Sequence, residues 1–114
     1  MSECLFCKFV NREIPTQVVY EDDRAFAFRD INPQAPTHIL VVPRQHLENL
    51  AAMRPEHESL RGHLLWVCAE QARQEGIEAD GYRVVLNTNR DAGQSVYHLH
   101  FHLLGGRHMT WPPG

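Results

Sequence analysis

The chain has 114 residues, 43% of them hydrophobic and 22% charged, with a formal net charge of −3, which fits one domain spanning 1–114 with a real core. The lack of a basic run argues against nucleic-acid binding by phosphate neutralisation, though a few local groups can still hold a single nucleotide. No apolar run approaches a membrane span, and "MSECLFCKFV" lacks the charged start and long apolar core of a signal peptide, so a cytoplasmic protein with no membrane partner is expected.

The first element expected is a short helix within "SECLFCKFVNREI", closed before Pro15. "QVVYED" and "RAFAFRDI" carry β-branched and aromatic residues around the acidic "EDDR" and predict a β-hairpin. "NPQAP" is a proline-punctuated loop. "HILVVP" is short and almost wholly apolar, which predicts a central strand buried on both faces. "RPEHESLRGHLLWVCAEQARQEG" is the one long helix, with Pro55 in its first turn and Gly76 at its end. Leu60, Leu64, Val67 and Cys68 form its apolar stripe, with Trp66 on an adjoining side; the stripe belongs to the core or to a subunit interface. Cys68 is a small apolar core residue here, since nothing nearby lowers its pKa. "GYRVVLNTN" predicts a fourth strand, "RDAGQS" a glycine-containing loop, and "VYHLHFHLL" a fifth strand. The sum is an α+β fold: a five-stranded antiparallel sheet with one long and one short helix.

The fifth strand carries the clearest chemical signal. Successive side chains in a strand point to opposite faces, so His98, His100 and His102 share one face and Tyr97, Leu99, Phe101 and Leu103 the other. The apolar face is expected to sit on the core, leaving the histidines on an open surface or cleft. Same-face neighbours lie roughly 6–7 Å apart, so three histidines span roughly 13 Å and do not converge on one ion. At least one is left for other chemistry. A neutral imidazole is a competent nucleophile towards phosphorus or acyl carbon, provided a neighbour fixes its tautomer. Just upstream, the backbone amides of "AGQS", the Ser95 hydroxyl and the Gln94 amide can cradle a phosphate, with Gly93 permitting close approach.

"CLFC" places Cys4 and Cys7 at zinc half-site spacing. A thioredoxin-like redox pair fits less well, because no strand precedes it. Two small apolar helix residues remain the alternative. Phe6, Phe9, Phe26, Phe28 and Ile31 supply apolar surface, mostly core, and Asp30 can grip a ribose or serve as a solvated turn acid.

"SVYHLHFHLLGGR" resembles the histidine triad superfamily signature, His-φ-His-φ-His-φ-φ with φ apolar. "REIPTQVVYEDDRAFAFRDINPQAPTHILVVPRQH", "GYRVVLNTNRDAGQSVYHLHFHLLGGR" and the terminal "WPPG" extend the resemblance to the histidine triad nucleotide-binding branch, from about Cys4 to Gly114. The resemblance implies a homodimer joined through the long helix and a strand, and a purine nucleoside phosphoramidate hydrolase. It implies that His100 attacks the α-phosphorus, that the His98 carbonyl fixes its tautomer, and that His102 and His38 hold phosphate oxygens and help protonate the leaving group. Gly93, Gln94, Ser95 and Val96 would surround the phosphate, Asn87 would contact phosphate or sugar, and Asp30 the ribose. Leu5, Phe6, Phe28, Arg29 and Ile31 would form the base pocket, and Trp111 would reach the partner subunit's site. Relatives with an N-terminal Cys-x2-Cys hold a structural zinc, which implies Cys4, Cys7, His46 and His98 as its ligands here. The other readings are a dinucleoside polyphosphate hydrolase or nucleotidyltransferase, a nucleotide-binding regulatory module, and a zinc hydrolase using the triad as ligands. His102, in place of the glutamine expected of the first, argues against it.

Overall fold

The computed structural model describes residues 3–114; Met1 and Ser2, the latter part of the expected helical segment, lie outside the described residues. Helix α1 (Leu5–Val10) is followed by strands β1 (Val18–Glu21), β2 (Ala25–Arg29) and β3 (Thr37–Pro43), helix α2 (Glu58–Gln74), and strands β4 (Tyr82–Leu86) and β5 (Phe101–Gly105). All pairings are antiparallel, in the order β1-β2-β3-β5-β4. The expected α+β architecture is the one observed.

Local chemistry explains the boundaries. Asn11 caps α1 through backbone bonds to Cys7 and Phe9, and Arg12 at φ +63° turns the chain away. The Asp22 carboxylate accepts from the backbone N–H groups of Arg24 and Ala25 at 2.8 and 2.7 Å, which closes the β1–β2 hairpin. Every residue of β3 is buried, as its apolar run and central place require. Pro55 starts a 3-10 turn that runs into α2. Gly76, at φ +74°, ends the segment.

Two apolar layers cover the sheet. On one face Leu60, Leu64, Val67, Cys68 and Ala72 of α2 pack on Ala25, Ala27, Ile39, Val41, Leu99, Phe101 and Leu103. On the other, Phe6, Phe9 and Val10 of α1 pack on Phe26, Phe28, Leu40 and Val42. Burial pushes the Cys68 thiol up to about 12, in keeping with an inert core residue. Trp66 stays half exposed on α2.

The histidine segment departs from the expected strand in two ways. Strand β5 begins only at Phe101. Continuing the Val41↔Phe101 register would set Leu99 opposite Pro43, which has no N–H to donate. The Leu99 N–H instead bonds the Leu47 carbonyl at 2.7 Å. Tyr97 therefore leaves the apolar face and is 43% exposed. The second departure is depth: of the expected open surface or cleft it is a cleft that forms, with His98 and His100 0% and 5% exposed because α1 closes over their face.

Candidate active site

Alternation along the sheet puts His38, Leu40, Phe28 and His102 on the α1 side, beside the lead-in carrying His98 and His100. The Phe6 ring meets His100 edge-on at 5.1 Å and His98 at 6.0 Å. One cavity is lined by Leu5, Phe6, Phe9, Thr16, Phe28, Arg29, Asp30, Ile31, Leu40, Ser95, Val96, His100 and His102. It brings together the expected base-pocket residues, the expected ribose carboxylate and two triad histidines. Asn87, Gly93, Gln94, His38 and Trp111 are not on its wall.

The hydrogen bonds assign each imidazole a tautomer. His100 Nδ1–H donates to the His98 carbonyl at 2.8 Å, so its Nε2 carries the lone pair. His98 Nε2–H donates to the Pro43 carbonyl at 2.8 Å, leaving Nδ1 as the free base. The Gln34 N–H donates to His38 Nδ1 at 3.0 Å, so His38 carries its proton on Nε2. That proton bonds His102 Nδ1 at 2.9 Å. His102 in turn keeps its own proton on Nε2. The Asp30 carboxylate lies 3.5 Å from His38 Nε2.

Burial keeps these rings neutral. It lowers His98 and His102 to about 4, His102 also through His100 and His38 beside it. Burial lowers His100 and His38 as well, against weaker opposing pull from Asp30. At neutral pH the site offers an uncharged base at His100 and an uncharged N–H donor at His102.

Three expected site residues are engaged by partners within the chain. His38 does not face the cavity with a free nitrogen; both ring nitrogens are engaged, and it acts on the site by orienting His102. The Gln94 amide is consumed in building the loop. Its Nε2 donates to the Glu48 and Val96 carbonyls at 2.7 and 3.1 Å. Its Oε1 accepts from the Asn89 N–H at 2.8 Å and from Asn49 Nδ2 at 3.2 Å. Its backbone N–H bonds the Asn89 carbonyl. Gln94 thus holds the loop that presents Ser95, which is exposed on the cavity wall. Arg29 lines the cavity as expected, and its guanidinium grips Glu75 at the end of α2 with two bonds, 2.9 and 2.8 Å. Trp111 is 81% exposed with Arg83 over its ring, Asn87 is half-buried just beyond β4, and Gly93 takes φ +81° at the loop's turn.

Sequence reasoning left Phe9, Thr16 and Leu40 out of the pocket. Phe9 follows Phe6 by three residues on a helix, and Leu40 follows His38 by two on a strand, so both spacings held the signal. Thr16, in the irregular link before β1, carried none.

Behind α1, donor atoms of Cys4, Cys7, His46 and His98 lie within 4.8 Å of one another. Cys4 Sγ is 3.4 Å from His98 Nδ1, Cys7 Sγ is 3.4 Å from His46 Nδ1 and 3.5 Å from His98 Nδ1, and the two Nδ1 atoms are 3.2 Å apart. Zn–N bonds of about 2.0–2.1 Å and Zn–S bonds of about 2.3 Å give tetrahedral edges of about 3.3–3.8 Å. The donor set and its spacing fit a four-coordinate metal. The Cys7 N–H bonds Cys4 Sγ at 3.4 Å, and the Pro43 carbonyl orients His98 from the outer side.

The HIT domain family matches residues 11–109 of the chain. The chain belongs to the HIT domain family. It is 53% identical over 105 residues to a purine nucleoside phosphoramidase of Escherichia coli (strain K12), covering 92% of this chain and 88% of that protein. It is 55% identical over 115 residues to a 14 kDa zinc-binding protein of Zea mays, covering 99% and 89%. The HIT family hydrolase of Legionella pneumophila Philadelphia 1 superposes with a TM-score of 0.96 at 49% identity, covering 98% of this chain and all of that one. The HIT fold is therefore the five-stranded sheet described above, and the chain is a HIT-family hydrolase. Among the described residues no helix is long and apolar enough to cross a membrane.

Proposed function

We propose that this HIT-family hydrolase cleaves the P–N bond of purine nucleoside phosphoramidates and releases the nucleoside monophosphate. The observation that carries the reading is the His100 ring. Its Nδ1–H is held by the His98 carbonyl, which leaves Nε2 with the lone pair, and the ring lines a cavity with an aromatic end. A purine fits between Leu5, Phe6, Phe9, Phe28 and Ile31, the last almost wholly in solvent beside the cavity. Asp30 takes the ribose hydroxyls, and Ser95 with the Val96 segment takes the phosphate.

His100 Nε2 attacks the α-phosphorus and a P–N bond to the ring forms as the bond to the substrate nitrogen breaks. The departing amine leaves with a proton drawn from solvent. His102 Nε2–H donates to a phosphate oxygen as charge develops. The His98 carbonyl stabilises the charged ring through Nδ1–H. Water then cleaves the nucleotidyl-histidine, returns the proton to solvent and restores neutral His100. Zinc held by Cys4, Cys7, His46 and His98 would supply a cross-link between α1, the turn after β3 and the histidine segment, not a step of the reaction.

On this reading the chain acts as one domain over 1–114, in the cytoplasm and as a homodimer, with Trp111 serving the partner's site and Asn87 the phosphate or sugar. Support for the substrate class comes from the relative named purine nucleoside phosphoramidase. Support for zinc comes from the relative named as zinc-binding and from the donor spacing. The test is turnover of adenosine and guanosine 5′-phosphoramidates and of a dinucleoside polyphosphate, each with and without a chelator. Cleavage of the phosphoramidates that persists under chelation, at lower thermal stability, is the expected result. Preferred cleavage of the dinucleoside polyphosphate, or activity abolished by the chelator, overturns the reading.

A further inference from the structure

Thr16 Oγ1 is shut off from solvent and has no hydrogen-bond partner among the described residues. Buried polar atoms are nearly always paired, so an orphaned one calls for a physical reason. Its surroundings suggest one. Thr16 lines the same cavity as Asp30, Phe9, Phe28 and His100. It also has a definite place along that cavity. Val18 pairs with Phe28, and the Arg29 N–H bonds the Gln17 carbonyl at 3.0 Å. Continuing that register brings Thr16 alongside Asp30, in the cavity that Phe9 and Phe28 also line.

The side chain as a whole is only half-buried. A turn about χ1 exchanges its methyl and hydroxyl, which differ little in volume, so the hydroxyl can be turned towards the cavity that the residue lines. An apolar residue of the same shape would fill the ligand-free site without an unpaired oxygen, so the hydroxyl is explained by a partner that arrives with the ligand. Resting on the nucleoside reading above, the place beside Asp30 identifies that partner. Where the ribose meets the base, a purine nucleoside presents its 2′-hydroxyl and the ring atom N3, both on its sugar edge. A threonine hydroxyl can donate to N3 and can donate to or accept from a hydroxyl.

We propose that Thr16 is a specificity-determining residue whose hydroxyl pairs with the sugar edge of a bound purine nucleoside. Binding then repairs a defect of the free site. The hydroxyl lowers KM and has no part in the chemical step, which takes place at His100.

The test compares the full-length wild type with Thr16→Val and Thr16→Ser. Substrates are adenosine 5′-phosphoramidate and its 2′-deoxy and 3-deaza analogues, and AMP is the probe in thermal melts. Thr16→Val is expected to raise KM for the parent substrate about two- to tenfold, the range of one net hydrogen bond, with kcat unchanged and Thr16→Ser close to wild type. Its penalty should vanish for whichever analogue lacks the paired atom, which separates the hydroxyl from N3. Without ligand, Thr16→Val should melt no lower than wild type, since it removes an unpaired oxygen, yet gain less from AMP. An equal penalty on all three substrates, or a ligand-free melt well below wild type, marks a packing role and overturns the inference. An unchanged KM, with wild type binding AMP and turning over substrate, overturns the inference alone. A wild type that neither binds AMP nor cleaves the phosphoramidate overturns the functional reading and the inference with it.

Discussion

Replacing His38 with alanine tests the tautomer relay. His38 is 5% exposed and joins the Gln34 N–H to His102 Nδ1 through bonds of 3.0 and 2.9 Å. Alanine removes both. The Gln34 N–H belongs to an exposed residue and finds water, so its loss is minor. His102 Nδ1 is left without its donor, a loss of about 1–3 kcal/mol for a buried unpaired group. That is the expected drop in unfolding free energy. The catalytic effect follows from one neutral hydrogen bond, about 0.5–1.5 kcal/mol. At about 1.4 kcal/mol per tenfold, kcat/KM falls about two- to tenfold. The assay combines steady-state turnover with ¹⁵N NMR of the His102 ring. Wild type should show the proton on Nε2 and His38→Ala a mixture of tautomers. His38→Gln, which keeps an N–H donor, should restore most of the rate. A His38→Ala protein with unchanged rate and an unmixed Nε2–H signal would refute the relay.

Gln94→Leu strips the loop of four side-chain hydrogen bonds; chemical denaturation should report a loss of about 2–4 kcal/mol, and KM should rise as Ser95 loses its place. Folded His102 is held down to about 4, and burial also lowers His38. Below pH 6.5 the unfolded chain takes up protons that the folded chain refuses, so stability should fall as pH drops from 6.5 towards 4. Denaturation at stepped pH checks this, and His102→Gln should flatten the slope. Arg29→Ala removes the two-bond ion pair with Glu75, whose side chains are 33% and 20% exposed. Its stability cost should stay near 1 kcal/mol, and the ratio of adenosine to guanosine turnover should not move, because the guanidinium is tied to Glu75; a shifted ratio would show that Arg29, which lines the cavity, also reads the base.

What the sequence revealed depended on the range of the interaction. The β1–β2 hairpin, the buried β3 run and the α2 stripe follow from local periodicity, and each formed close to where it was read. Same-face alternation likewise put His98, His100 and His102 on one side of the sheet. The strand boundary at Phe101 was not local: it depends on Pro43 lying opposite Leu99. Nor was the burial of His98 and His100, which comes from a helix about 90 residues earlier in the sequence. Gln94 read as a phosphate contact because its residue type allows it, and His38 through the family resemblance. The partners that decide their roles, His102 for His38 and Glu48 and Asn49 for Gln94, lie far off in the chain. Cys4 and Cys7 were legible as a zinc half-site from their spacing, whereas His46 and His98 came from family resemblance, since no spacing rule links residues 39 and 91 positions beyond Cys7.

The central claim is that neutral His100 attacks phosphorus. Its most direct test is intact-protein mass spectrometry of wild type and His100→Ala, quenched during turnover of adenosine 5′-phosphoramidate. A mass increase of one adenylyl group in wild type, absent from His100→Ala and still formed with chelator present, is the predicted result. Turnover without any adduct in wild type, or an adduct that survives in His100→Ala, would contradict it.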